Sequence, residues 1–253
     1  MLTVGQIEEI RRKAEEKRSE LGFGSSAPIG AKVFNCLDQM KILTVRFPVD
    51  DKDFAAFIGR RDGQDVVFIN TALPKGKQHF AAAHELYHAW FDRDALSSWS
   101  TICDIEDSGG STLREKLANR FAAEFMVPRW GIKMYCDSLP QHFDLTDAIA
   151  LLSDYYEVPS KTIILRLEEE EYITAKEKEE FLLDSAVAIY DERRKELGLH
   201  ATMQEPTYDR NGSLSFYAIL RKNLDGDRIS RGKFDELYRL LDSMSFLNSL
   251  PAP

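Results

Sequence analysis

Three features of the chain predict an α+β fold. Short apolar runs at residues 42–47, 54–58 and 65–70 have the length and composition of strands. The last two are joined through Arg60-Arg61-Asp62-Gly63, and Asp-Gly between apolar runs is a strong hairpin signal. Residues 80–91 are apolar on nearly every side, which predicts a buried helix. From about Tyr172 the chain turns charged and helical, so a small mixed or antiparallel sheet with its helices is followed by a helical C-terminal region.

The elements follow in order. Residues 4–21 read as an N-terminal helix ended by Gly22 and Gly24, residues 31–40 as a second helix, and residues 42–47 as the first strand. The strand at 65–70 leads into the buried helix through a loop with Pro74 and Gly76. An edge strand there would suit an extended peptide, whereas an internal strand would serve only the core. Residues 92–110 form a long, acidic, Ser- and Gly-rich connection, expected as one wall of a cleft. Residues 113–128 read as one helix, capped by Ser111 or Thr112 and stopped by Pro128.

Residues 146–156 and 160–167 make a helix–turn–helix-like pair broken at Val158-Pro159. Its second helix carries only Lys161 and Arg166 before Glu168-Glu169-Glu170-Glu171, and four acids repel phosphates, so the pair is expected to pack rather than read DNA. Helices at 176–197, 213–223 and 230–241 complete the chain, with a turn at Asp225-Gly226. The expected organisation is one domain over residues 1–170, including the helical pair at about 145–170, and a C-terminal region of unassigned role over 171–253.

The chemistry lies in His84-Glu85-Leu86-Tyr87-His88. Two histidines four apart stand one turn above the other, so both imidazoles reach one metal ion. Glu85, one step round, is placed to accept a proton from water at that metal. A buried helix with these three polar groups needs partners for all of them, and ligation satisfies the histidines directly.

A catalytic zinc site typically has three protein ligands and a water. Only His79, His142 and His200 remain; His79 falls on another face of the helix, and no third histidine extends the motif, since position 94 is Asp94. A carboxylate on a following helix is therefore expected. Glu115, Asn119, Ala122 and Met126 share one stripe, on which Glu115 would ligate and Asn119 would hydrogen-bond a ligand; Glu124 competes as a candidate.

These segments resemble the ImmA/IrrE family of metallopeptidases. Its marks stand here as Val66-Val67-Phe68-Ile69-Asn70, then His84-Glu85-Leu86-Tyr87-His88, then Glu115, Ala118, Asn119, Phe121, Ala122, Ala123, Glu124 and Pro128. The likeness covers roughly residues 30 to 170. It implies a zincin-like fold, His84, His88 and Glu115 as metal ligands, and Glu85 as catalytic base. Tyr87 stands where the family often has glycine and His79 where a basic residue is common; neither departure touches a ligand.

The resemblance further implies a protein substrate, a helix-turn-helix repressor cleaved to switch on phage, mobile-element or stress genes. Zinc is the expected metal, although two histidines and a carboxylate also suit manganese or iron. Two rival readings remain: a metal-containing binding module that sequesters its regulator without cutting it, and a hydrolase of non-peptide substrates. A donor to the developing oxyanion is usual, and Tyr87, Tyr135, His142, Tyr155 and Tyr156 are all candidates.

Composition narrows the compartment and the partners. Hydrophobic residues at 43% and charged residues at 30% suit a globular domain. The first twenty residues lack the apolar stretch of a signal peptide, and no run reaches membrane-spanning length. Cys36, Cys103 and Cys136 are odd in number and widely spaced, as reduced thiols are, so the cytoplasm is the expected location. Cys103 lies between the motif helices, where a plain loop or core cysteine is expected rather than a fourth ligand. A net charge of −9 disfavours direct binding to nucleic acid.

Overall fold

The computed structural model describes residues 2–61, 63–93, 112–138, 144–199 and 203–241. Helix α1 (Val4–Glu20) starts at a capping box, in which the Thr3 side chain accepts from Gln6 N and the Gln6 side chain accepts from Thr3 N. A 3₁₀ turn at Gly30–Lys32 leads into α2 (Val33–Gln39), so the expected second helix is shorter than its sequence span.

Strands β1 (Leu43–Phe47), β2 (Ala56–Arg61) and β3 (Gln64–Asn70) follow. With β4 (Asn211–Gly212) they form a mixed sheet in the order β2-β3-β1-β4. Strand β3 pairs antiparallel with β2 and parallel with β1, from Leu43 opposite Val66 to Phe47 opposite Asn70. Thus β3 is internal and β2 lies at the sheet's edge among the described residues. Asp62 of the expected hairpin turn lies outside the described residues; Gly63 beside it has φ +79°, which glycine adopts without strain.

Alternation divides the sheet's faces. Ile58, Val67 and Ile69 are fully buried on one side, whereas Phe54 and Phe57 each stack on Phe68, with Phe57 and Phe68 centroids 5.7 Å apart. Asn70, at the end of β3, organises the loop before β2. Its Nδ2 donates to Val49 O, Asp51 O and Phe54 O, and its Oδ1 accepts from Val49 N and Ala72 N.

Helix α3 (Lys75–Phe91) packs on the sheet and against α4 (Leu113–Met126), which in turn packs on α1. Small residues permit this closeness: Ala81, Ala82, Ala83, Ala118 and Ala122 are all buried. Helix α5 (Arg129–Ser138) was not expected. Pro128 ends α4 but also opens α5, its carbonyl accepting from Gly131 N and Ile132 N.

Helices α6 (Leu145–Tyr156) and α7 (Ser160–Glu169) form the anticipated pair, turning at Glu157 with φ +54°. Arg166 is fully buried and bonds Val127 O, Glu124, Glu169 and Glu170, so it faces the protein and not a partner. The helix expected at 176–197 is two, α8 (Ala175–Phe181) and α9 (Asp184–Glu196), interrupted at Leu182 and Leu183.

Helices α10 (Leu214–Asp225) and α11 (Arg231–Leu240) close the described chain. The strap before α10 ties onto the sheet and the start of α3. Glu205 O accepts from Lys75 N, Tyr208 N donates to Thr71 O, Arg46 pairs with Asp209, and Ser213 N donates to Thr44 O. The C-terminal region therefore supplies an edge strand as well as helices. No helix among the described residues is long and apolar enough to cross a membrane.

Candidate metal centre

The face of α3 toward α4 carries both motif histidines, and α4 answers with Glu115 in its first turn. That turn is set by Thr112, whose hydroxyl accepts from Glu115 N. His84 Nε2 lies 3.1 Å from Glu115 Oε2, and His88 Nε2 lies 3.7 Å from the same oxygen. The two Nε2 atoms are 3.1 Å apart. One ligand atom from each residue lies within 4.8 Å of the others, and all three residues are buried.

The opposite ring nitrogens are engaged as well. His84 Nδ1 is 2.8 Å from Asn119 Oδ1, and His88 Nδ1 is 2.8 Å from Asp92 Oδ2. Both partners are acceptors, so each Nδ1 carries a proton and each Nε2 is the ring nitrogen turned toward Glu115. Two imidazole nitrogens and a carboxylate oxygen thus converge on one point, and this donor set fits a divalent cation with nitrogen and oxygen ligands.

Electrostatics agree with that fit. Burial pulls the His88 pKa down, but Asp92 and Glu115 overcome it and push it up to about 9. Burial pushes the Glu115 carboxyl up, and the hydrogen bonds to His84 and His88 outweigh it, leaving a pKa of about 2. Both shifts place positive charge on His88 against the carboxylates of Asp92 and Glu115, the place a divalent cation would take.

Glu85 differs from Glu115. It is almost fully buried, its Oε2 has no hydrogen-bond partner among the described residues, and burial pushes its pKa up to about 7. The neighbouring histidines and the Ile58 main-chain N–H of β2 oppose that shift without cancelling it. A carboxyl near neutrality, beside the cluster but not needed to bind in it, can both take and give a proton.

Other expected candidates fall elsewhere. Glu124 sits in an ion network with Arg11, Arg120 and Arg166. His79 is buried with its Nδ1–H directed at Glu157 O. Tyr87 packs among Phe91 and Phe121, and the Tyr156 hydroxyl donates to Ser26 O. Cys103, His142, His200 and the connection from residue 94 to 111 lie outside the described residues.

Sequence reasoning missed Asp92 and its neighbour Arg114, whose Nε lies 3.4 Å from Asp92 Oδ2. The spacing carries the signal, since Asp92 follows His88 by four residues, but Asp92 lies just past the last helical residue, where the sequence predicts a loop.

Comparison with known proteins adds a family. A family model described as the IrrE N-terminal-like domain, Peptidase M78, matches residues 37–168. No curated protein sequence matches the chain. A solved structure described as a Mycobacterium tuberculosis transcriptional regulator is similar at TM-score 0.43 and 21% identity, over 63% of this chain and 47% of that one. The chain thus spans about half the length of that structure.

Proposed function

The chain belongs to the Peptidase M78 family, and from that premise we propose that it is a zinc-dependent metalloendopeptidase of narrow specificity. The proposed substrate is a helix-turn-helix transcriptional repressor, cut at few sites to derepress phage, mobile-element or stress genes. His84, His88 and Glu115 would hold the metal, and Glu85 is the catalytic base. Zinc is the proposed ion because two imidazole nitrogens and one carboxylate oxygen are a donor set that suits a catalytic zinc.

One observation carries the reading. A buried carboxylate oxygen, Glu85 Oε2, has no hydrogen-bond partner among the described residues and stands beside the converging His84, His88 and Glu115. Such a group is costly in a stable core and useful in a proton transfer.

When bound, a divalent metal supplies Lewis acidity, polarising the scissile carbonyl and acidifying water. The chain's own residues do the rest. Asn119 and Asp92 hold the two imidazoles with Nε2 free to ligate. Glu85, with its pKa pushed up to about 7 by burial, takes a proton as water oxygen attacks the carbonyl carbon. It returns that proton to the amine nitrogen as the C–N bond breaks.

Residues 1–170 are proposed as the catalytic unit. Residues 171–253 are proposed as a region that completes the sheet through β4 and meets the regulator or signal.

The test is direct. The protein is incubated with zinc and the helix-turn-helix repressor encoded beside it, under inducing conditions, and products are read by mass spectrometry. One or a few cuts, absent with Glu85→Gln, support the proposal. An intact repressor contradicts it, and full biological effect from Glu85→Gln would favour sequestration instead.

A further inference from the structure

Asp92 is bound twice to one histidine. It follows the last residue of α3, its main-chain N–H donates to His88 O at 3.0 Å, and its Oδ2 accepts from His88 Nδ1–H at 2.8 Å. The same Oδ2 lies 3.4 Å from Nε of Arg114. Arg114 immediately precedes Glu115 on α4. One carboxylate therefore ties the end of the helix bearing His88 to the start of the helix bearing Glu115.

The two imidazoles are supported unequally. His84 meets the neutral amide of Asn119, whereas His88 meets an anion. A carboxylate partner makes an imidazole a stronger electron-pair donor than an amide partner does. It also adds charge. Glu85, Glu115 and Asp92 against the single guanidinium of Arg114 leave two negative charges around the cluster when the acids are ionised, the complement of a divalent cation.

We infer that Asp92, clamped by Arg114, is a positioning residue for the metal: it fixes the His88 ring with Nε2 toward Glu115 and supplies part of the countercharge that retains a divalent ion. The inference rests on the metal reading above and extends it beyond the three ligands. Arg114 acts through Asp92, restraining the carboxylate that would otherwise turn toward solvent, since Asp92 keeps 18% side-chain exposure while His88 has none. Its contribution is correspondingly smaller.

Zinc dissociation constants, measured by competition with a chromogenic chelator, test this in wild type, Asp92→Asn, Asp92→Ala, Arg114→Gln and the Asp92→Ala/Arg114→Gln pair. Metal-free melting temperatures and the visible spectra of cobalt-loaded proteins accompany them. Asp92→Ala should weaken zinc by about 10- to 100-fold and shift the cobalt bands, with metal-free melting unchanged. Asp92→Asn, which keeps an acceptor but not the charge, should fall between Asp92→Ala and wild type. Arg114→Gln should cost a few-fold alone and almost nothing on top of Asp92→Ala. Wild-type affinity in both Asp92 variants overturns the inference, as does an affinity loss fully accounted for by lost metal-free stability. A wild type that binds no zinc overturns both this inference and the metal reading; a wild type that binds, with indifferent variants, overturns this one alone.

Discussion

His84 Nε2 and His88 Nε2 stand 3.1 Å apart, both turned toward Glu115. Asn119 and Asp92 accept from the far ring nitrogens, which keeps both Nε2 atoms aimed at one point. Glu115 Oε2 brings a third electron-rich atom to within 3.1 Å of His84 Nε2. Such a cluster is unfavourable as a neutral core contact and favourable as the wall of a cation site.

Glu85→Gln separates binding from chemistry. Glutamine keeps the volume of Glu85 and removes its titration, while the three proposed ligands stay intact. Zinc content should remain at wild-type level and peptide hydrolysis should fall by about 100- to 10,000-fold, as expected for loss of a general base. Metal analysis and cleavage rates on one preparation check both halves.

Acid should weaken the fold through His79. Burial lowers its pKa from the usual 6.5 to about 4, although Glu157 Oε2 lies 3.3 Å away. The unfolded chain then binds a proton that the folded chain refuses, so this stability is whole above pH 6.5 and is lost as pH falls toward 4. Between pH 7.5 and 5, wild type should lose about 2 kcal/mol more than His79→Gln. Urea unfolding at the two pH values measures the difference; equal losses would contradict it.

Gly131 on α5 is a packing requirement of α6. A Cβ there would strike the Tyr156 hydroxyl, which is fully buried and donates to Ser26 O. Gly131→Ala should cost about 1–3 kcal/mol, as overpacking does. Tyr156→Phe removes the struck oxygen, so the double variant should be more stable than the two single losses summed. An additive double variant in thermal melts would count against this contact.

Arg166 compensates buried acid. It is fully buried against Glu124, Glu169 and Glu170 and links α7 to α4. Arg166→Ala leaves those carboxylates short of a partner and should destabilise by about 3–5 kcal/mol, visible as a lower urea midpoint. A change within a few tenths of a kcal/mol would show that Arg11 and Arg120 suffice.

How legible the molecule is in its sequence depends on periodicity. The motif spacing in α3 and the stripe of Glu115 and Asn119 in α4 are helical repeats, and repeats survive translation into three dimensions. Asp92 breaks that legibility because it lies beyond the last helical residue, where its side chain folds back one turn. Helix α5 hid behind Pro128, which stops one helix and starts another. Strand β4 is two residues long and depends on Val45 and Arg46 of a distant strand, so nothing local announces it. The break between α8 and α9 at Leu182 and Leu183 carries no Gly or Pro to announce it.

His84, His88 and Glu115 are the proposed metal ligands. The most direct measurement is metal per chain, by elemental mass spectrometry, in wild type and Glu115→Ala purified without chelator or added metal. About one zinc per wild-type chain and far less in the variant is the expected result. A wild type without metal, even after zinc is added, would contradict the claim and leave a protein-binding scaffold in its place.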